Sequence, residues 1–274
     1  MVEEKREPKP VTIAAFVAHK AKGEKVVMVT AYDALFGRLV DESGVDAILV
    51  GDSVATAVFG HDSTLPVTLD QMIYHGAAVR RGVKRSLIVL DMPFLTYQAS
   101  IELAILNCGR ALQETGVAAV KIEGGSPEII ETVRSLVRTG IPVMAHIGFT
   151  PQSVNTIGGA RVQGREPPDA ERLIVEAKGL QAAGAFALVL ELVPAPVAAR
   201  ITSAIDIPTI GIGAGPDCDG QVLVLPDLLG LNDTFSPRFL KRYAEMAQDV
   251  RGAVGEFASE VRGGIYPDAE HSFQ

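Results

Sequence analysis

Four acidic residues each follow a run of apolar residues that has the composition of a buried strand. Asp52 comes just after residues 47–50, and Asp91, Glu123 and Glu191 come directly after three later runs of this kind. A carboxylate at the tip of a buried strand is costly unless a partner satisfies it. One such acid is most often a helix cap or a loop anchor, but four of them predict carboxylates that converge on a common site.

The chemistry open to such a cluster is metal binding or acid–base catalysis. Ionised carboxylates within a few ångström repel one another, so either some hold a proton or a cation lies among them. Hard oxygen ligands without an adjoining His or Cys cluster favour Mg²⁺ over Zn²⁺. Glu191 can serve as a general base if partial burial raises its pKa towards neutrality.

Lys121 and Glu123 are two residues apart on one predicted strand, so their side chains share a face. If that face lines the site, the Lys121 ammonium can hold a substrate carboxylate. A structural ion pair between the two residues is the alternative interpretation.

Other polar or glycine-rich positions give weaker signals. His61, His75 and His146 are interpreted as hydrogen-bonded scaffold residues rather than catalysts. The segment 211–215, Gly-Ile-Gly-Ala-Gly, is similar to a loop that cradles phosphate. A tight turn explains the same glycines equally well, and both interpretations stay open.

The elements that must position these residues alternate between strand and helix about eight times over ~250 residues, which is typical of a TIM (β/α)₈ barrel. Gly44, Gly116, Gly140 and Gly184 each separate a predicted helix from the next strand. A doubly wound open sheet has the same alternation but is not favoured, because no G-x-G-x-x-G follows the first strand. The active site of a barrel lies at the carboxyl ends of its strands, so the four acids would face one cavity.

Two helices and a tail complete the prediction. Residues 1–10 are predicted as a flexible tail, and residues 11–274 as a single barrel domain. A short helix is predicted over 12–19. A long C-terminal helix is predicted over 236–261, from a Ser-Pro start. Its apolar stripe is interpreted as core, with an oligomer contact as the alternative.

Composition limits the class of protein. Hydrophobic residues make up 47% of the 274 residues, which predicts a folded chain. The formal charge of −8 argues against electrostatic binding to nucleic acid or to anionic membranes. The two cysteines form no CxxC pair, and no apolar run approaches the ~18 residues of a membrane span, so a cytoplasmic location is expected.

The order of several motifs identifies a family. The chain resembles the ketopantoate hydroxymethyltransferases along nearly its whole length. The matching motifs are Val29-Thr30-Ala31-Tyr32-Asp33, Val50-Gly51-Asp52-Ser53, Gly60-His61-Asp62-Ser63-Thr64-Leu65-Pro66-Val67-Thr68, Asp91-Met92-Pro93-Phe94, Val120-Lys121-Ile122-Glu123-Gly124-Gly125, His146-Ile147-Gly148-Phe149-Thr150-Pro151-Gln152, Val162-Gln163-Gly164-Arg165, Ile210-Gly211-Ile212-Gly213-Ala214-Gly215, Cys218-Asp219-Gly220-Gln221, Tyr266-Pro267 and Glu270-His271-Ser272-Phe273.

The resemblance implies a TIM barrel that forms a homodecamer and needs Mg²⁺. It implies transfer of a hydroxymethyl group from 5,10-methylenetetrahydrofolate to 3-methyl-2-oxobutanoate, giving 2-dehydropantoate on the way to pantothenate and coenzyme A. By position it implies metal binding by Asp52, Asp91 and Glu123, binding of the oxo acid by Asp52, Ser53, Asp91 and Lys121, and proton removal by Glu191.

Two other functions fit parts of the pattern. A Mg²⁺-dependent carbon–carbon lyase acting on a 2-oxo acid, of the isocitrate lyase and phosphoenolpyruvate mutase type, would share the fold, but the chain lacks the Lys-Lys-Cys-Gly-His signature of lyases. A barrel that only binds an oxo acid or a partner protein is the other alternative. The presence of all four acids argues against it.

Overall fold

The computed structural model describes residues 9–273 and has a closed barrel of eight parallel strands at its centre. The strands are β1 (Val26–Thr30), β2 (Ala47–Val50), β3 (Leu87–Asp91), β4 (Ala119–Glu123), β5 (Val143–Gly148), β6 (Ala187–Glu191), β7 (Thr209–Ile212) and β8 (Gly220–Leu223). Each strand pairs with its neighbours in sequence, and β8 pairs with β1. The predicted TIM barrel is therefore confirmed, and the open sheet is excluded.

Helices alternate with the strands along the chain or follow the last strand. They are α1 (Ile13–Lys22), α2 (Ala34–Glu42), α3 (Val54–Ala57), α4 (Leu69–Gly82), α5 (Ile101–Thr115), α6 (Pro127–Arg138), α7 (Val154–Ile157), α8 (Pro167–Ala183), α9 (Ala195–Ala204), α10 (Leu225–Leu228) and α11 (Met246–Gly263). The four glycines predicted to end helices all have positive φ, between 71° and 101°. They provide the left-handed exit that turns each chain segment back into the barrel.

Apolar side chains fill the interior of the barrel towards the amino-terminal ends of the strands. Alternate strand residues such as Val26, Met28, Leu87 and Val89 belong to one buried cluster. Phe16 of α1 joins this cluster and packs edge-on against Phe186, just before β6, with ring centroids 5.8 Å apart. Because these side chains are buried together, the amino end of the barrel is a packed core rather than a channel. Burying each large side chain contributes about 1.5–3 kcal/mol to stability.

The inward positions become polar towards the carboxyl end of the barrel. On β4, Lys121 and Glu123 continue the alternation, and on β3 and β5 so do Asp91 and His146. The strand register places Asp91 beside Lys121 and Glu123 beside His146. Neighbouring strands therefore present charged side chains to one another above the apolar layers.

Residues from Leu225 onwards form a separate compact unit that contains α10 and α11. The predicted start of the long helix at Ser236 is wrong, because α11 begins at Met246. The N–H groups of Tyr243 and Met246 instead donate to the carbonyls of Leu228 and Leu229. The backbone before Met246 is thus paired with the α10 region and cannot form a helix ladder.

The interpretation of the α11 stripe as core is also wrong. Val250, Val254, Phe257 and Val261 are 47–61% exposed. Helical spacing of apolar residues defines a face but does not say what covers it.

The tail and domain boundaries stay predictions. Most of the predicted tail lies outside the described residues, and only Lys9 and Pro10 of it are described, both exposed. Within residues 9–273, no helix has the length and apolar character needed to cross a membrane.

Candidate active site

Three of the four predicted acids meet at the carboxyl end of the barrel. Asp52, Asp91 and Glu123 each offer a carboxylate oxygen that lies within 4.8 Å of the other two. All three residues are at most 5% exposed. They come from the ends of three successive strands, so closure of the barrel brings them together.

Lys121 lies within this cluster and is 3% exposed. Its Nζ is 2.9 Å from Asp91 Oδ1 and 3.4 Å from Glu123 Oε1. The Asp52 N–H donates to the other oxygen of Asp91 over 3.2 Å. Asp91 Oδ1 is close to the ammonium but has no aligned hydrogen bond. One ammonium therefore opposes three carboxylates, and its ion pair with Asp91 Oδ1 is the only contact that satisfies this oxygen among the described residues.

Burial and neighbouring charges shift the pKa values of Asp52 and Glu123 in opposite directions. Burial raises the pKa of Asp52 well above its usual value, and the charges of Asp91 and Glu123 raise it further. Burial alone would also raise the pKa of Glu123, but the charge of Lys121 and neighbouring hydrogen bonds lower it to about 2. Without a metal, Glu123 is thus ionised while Asp52 tends to keep a proton.

This difference predicts how pH affects the stability of the metal-free protein. The folded pKa of Asp52 lies above the ordinary value of 3.8. The stability that Asp52 contributes to the folded protein is therefore fully present below pH 3.8 and is lost as the pH rises through the folded pKa. The lowered pKa of Glu123 has the opposite effect on stability. The stability that Glu123 contributes is present above pH 4.5 and is lost only as the pH falls towards 2. As the pH rises above 3.8 towards the raised folded value, we expect the titration of Asp52 to lower the free energy of unfolding, with a slope of at most about 1.4 kcal/mol per pH unit.

Urea unfolding in EDTA across this pH range measures the slope. Asp52→Asn is the matched control, because its neutral amide cannot titrate, and the slope should be smaller in this variant. Identical pH dependence in the two proteins would contradict the assignment of the proton to Asp52.

Glu191 lies apart from the three-acid cluster but is joined to it by a histidine. His146 Nδ1 is 3.1 Å from Lys121 Nζ and 3.3 Å from Glu123 Oε1. His146 Nε2 is 3.4 Å from Glu191 Oε2, without the alignment of a hydrogen bond. The Glu191 side chain is 19% exposed, whereas that of Glu123 is 3% exposed, so Glu191 is only partly buried.

His146 thus contacts both the acidic cluster and Glu191, and its interpretation as a scaffold residue stays a prediction. Burial and the Lys121 charge lower its pKa, but contacts with Glu123 and Glu191 outweigh them and raise it above the usual value. The sequence carries a signal for this position, because His146 alternates with the inward-facing Met144 on β5.

The remaining predicted residue, Ser53, lies at the rim beside Asp52. Its Oγ is 2.8 Å from Tyr32 Oη, so it is tied to the turn after β1. His75 Nδ1 lies 2.6 Å from the Tyr32 carbonyl oxygen, which fits the predicted scaffold role of that histidine.

Gln152 and Tyr97 were missed as site residues. Gln152 is 6% exposed and donates to Asp52, while the Tyr97 hydroxyl lies 3.1 Å from the Glu123 backbone nitrogen. Gln152 belongs to a matching motif, but an uncharged residue in a loop gives no sign of its partners.

The glycine-rich segment is explained by packing. A Cβ on Gly211 would lie 3.0 Å from Cys218 Sγ, and one on Gly215 would lie 2.4 Å from the Ala195 Cβ. Gly215 also has φ +84°. These contacts favour the tight-turn interpretation over a phosphate loop.

Comparison with known sequences agrees with this geometry. A family model described as ketopantoate hydroxymethyltransferase matches residues 10–269. The 3-methyl-2-oxobutanoate hydroxymethyltransferase of Pelobacter propionicus is 54% identical over 265 residues, which cover 97% of this chain and 98% of the relative. The enzyme of that name from Moorella thermoacetica is 53% identical over 264 residues, covering 96% and 98%.

Comparison with solved structures shows a shared fold. A phosphoenolpyruvate phosphomutase from Streptomyces platensis has a TM-score of 0.62 at 16% identity, covering 96% of this chain and 92% of the other. A 2,3-dimethylmalate lyase has a TM-score of 0.59 at 15% identity, covering 95% and 91%. These similarities concern the barrel alone. The family match and the close relatives identify the function, and the chain belongs to the ketopantoate hydroxymethyltransferase family and is a hydroxymethyltransferase.

Proposed function

We propose that this enzyme transfers a one-carbon unit from 5,10-methylenetetrahydrofolate to 3-methyl-2-oxobutanoate and forms 2-dehydropantoate, with Mg²⁺ as its metal. The name shared by its relatives supports the oxo acid as acceptor. The observation that carries the proposal is the buried cluster of Asp52, Asp91 and Glu123 beside Lys121.

The donor set fits a divalent cation. All three groups offer carboxylate oxygens, the ligands that Mg²⁺ prefers. When ionised, the three carboxylates and Lys121 carry a net charge of −2, which a divalent cation would neutralise. Asp91 Oδ1 is paired with Lys121 but accepts no aligned hydrogen bond, so it keeps a lone pair for a metal. Bound Mg²⁺ would supply the positive charge that makes a proton next to the oxo group easier to remove.

The chain's own residues would bind the oxo acid and move its proton. Lys121 would offer an ammonium to the substrate carboxylate, and Asp52, Ser53 and Asp91 would bind the same substrate. Glu191 would accept the proton from carbon 3, because its side chain lies outside the buried cluster and is more exposed than the side chains of Asp91 and Glu123. The electron pair left on carbon 3 would form the new bond to the methylene carbon as one carbon–nitrogen bond of the folate breaks. Water would provide the hydroxyl oxygen as the second carbon–nitrogen bond breaks, and tetrahydrofolate would leave with the proton from carbon 3 and one proton from the water.

The test is product analysis by mass spectrometry. The enzyme is incubated with Mg²⁺, 3-methyl-2-oxobutanoate and 5,10-methylenetetrahydrofolate, and in parallel with Mg²⁺ and 2,3-dimethylmalate. Formation of 2-dehydropantoate in the first mixture supports the proposal. Cleavage of 2,3-dimethylmalate without 2-dehydropantoate would favour the lyase, and binding without turnover in either mixture would favour a barrel that has lost catalysis.

We further propose that the enzyme is a homodecamer in the cytoplasm. The exposed apolar face of α11 is compatible with subunit contacts. Both cysteines, Cys108 and Cys218, are free and buried, as expected in a reducing compartment. Analytical ultracentrifugation tests the assembly.

A further inference from the structure

One uncharged residue connects the ends of three strands around the acidic cluster, by its side chain and its backbone N–H. Gln152 follows β5, in the turn Pro151–Ser153. Its Nε2 donates to Asp52 Oδ2 over 3.0 Å and to the Met92 carbonyl over 2.8 Å. Its backbone N–H donates to Glu123 Oε2 over 3.1 Å. A single residue thus holds two of the three acids and the backbone directly after the third.

The Gln152 amide is held in one orientation. A carbonyl oxygen only accepts hydrogen bonds, so the NH₂ group must face Met92. On the other side, Gln152 Oε1 lies 2.9 Å from Tyr97 Oη and 3.1 Å from Gln98 Nε2. Tyr97 Oη in turn accepts the Glu123 backbone N–H over 3.1 Å. The network therefore extends from Asp52 through the amide to the loop after β3.

These contacts decide which carboxylate oxygens face the cluster. Gln152 donates to Oδ2 of Asp52 and to Oε2 of Glu123. These two hydrogen bonds fix the orientation of each carboxylate and so the direction of its other oxygen. Glu123 Oε1 is the oxygen that faces Lys121 and His146. The separation and direction of the ligand atoms depend on Gln152 as well as on the barrel.

We propose that Gln152 is a positioning residue that makes the site selective for Mg²⁺ over Ca²⁺. The inference rests on the metal site of the proposed function. Mg²⁺ demands near-ideal octahedral ligands at about 2.0–2.1 Å, whereas Ca²⁺ accepts irregular ligands at about 2.3–2.6 Å. Loosening the Asp52 carboxylate, which the Gln152 amide holds, therefore weakens Mg²⁺ binding more than Ca²⁺ binding.

Isothermal titration calorimetry of the full-length protein with Mg²⁺ and with Ca²⁺ tests this. Gln152→Met keeps the length of the side chain and the backbone N–H but removes the amide. We expect the Mg²⁺ Kd to rise about 10–100-fold, as for other residues that orient metal ligands, and the Ca²⁺ Kd to rise by a smaller factor. Tyr97→Phe removes only one hydrogen-bond partner of the amide. It should shift the ratio of the Mg²⁺ and Ca²⁺ affinities in the same direction as Gln152→Met, but by a smaller factor.

Gln181→Met is the matched control. The side chain of this glutamine makes three hydrogen bonds, against four for Gln152, and they join it to Asp206 and Ile207 before the amino-terminal end of β7. Both metal affinities should stay at the wild-type values in this variant.

The outcomes separate the inference from the proposed function. Equal weakening of Mg²⁺ and Ca²⁺ binding, or no weakening, in Gln152→Met would overturn the positioning role. Absence of Mg²⁺ binding in the wild-type protein would overturn the metal site itself. If near-ultraviolet circular dichroism shows that Gln152→Met does not fold, the affinity ratio of Tyr97→Phe decides the question.

Discussion

Replacement of Glu191 by glutamine is expected to slow exchange of the carbon 3 proton of 3-methyl-2-oxobutanoate by about 10²–10⁴-fold, the usual effect of losing a general base. The glutamine keeps the shape of the side chain and its position beside His146 but cannot accept the proton. Mg²⁺ and the oxo acid should still bind, because the buried acids and Lys121 are unchanged. Proton NMR in D₂O without folate measures the exchange directly, so the result does not depend on where folate binds.

Glu176→Gln is the matched control for this experiment. The Glu176 side chain is 15% exposed, against 19% for Glu191, and it pairs with Arg172 outside the acidic cluster. Its exchange rate should equal that of the wild type. A wild-type rate in Glu191→Gln would remove Glu191 from the reaction.

Replacement of Asp91 by alanine is expected to abolish the Mg²⁺-dependent part of the exchange, a loss of about 10³-fold or more. Asp91 lies between the Asp52 N–H and Lys121, so its removal deletes one proposed metal ligand and leaves the ammonium without its nearest partner. Mg²⁺ titration of the exchange rate is the measurement, and we expect no dependence on Mg²⁺ concentration.

Loss of one partner of a buried ion pair typically costs about 3–5 kcal/mol, so Asp91→Ala must be checked for folding. Asp91→Asn keeps the volume of the side chain and serves as the second variant. Mg²⁺-stimulated exchange near the wild-type level in a folded Asp91 variant would show that this acid is not needed for metal-assisted chemistry.

The sequence predicted the fold and the acidic cluster because both depend on short-range patterns. The strand Ala47–Val50 has the predicted bounds, since an apolar run is a local signal. Lys121 and Glu123 share a face because a strand has a period of two. The roles of these residues in binding and catalysis stay predictions.

Contacts that join distant loops could not be predicted in this way. Asp52 and Gln152 are 100 residues apart, and their hydrogen bond exists only because the turn after β5 folds back over β2 and β3. The network of Gln152 with Tyr97 depends on the shape of two loops rather than on any periodic pattern. The exposed face of α11 was misjudged for a related reason, since its spacing is the same whether solvent or protein covers it.

The packing of Phe16 beneath the barrel has a kinetic consequence. Within residues 9–273, apolar side chains fill the amino end of the barrel, so the proposed oxo acid and folate would enter from the carboxyl end. If the larger folate binds over the small oxo acid there, the oxo acid could not leave before it. This arrangement predicts an ordered, sequential rate law, in which the oxo acid binds first and its product leaves last.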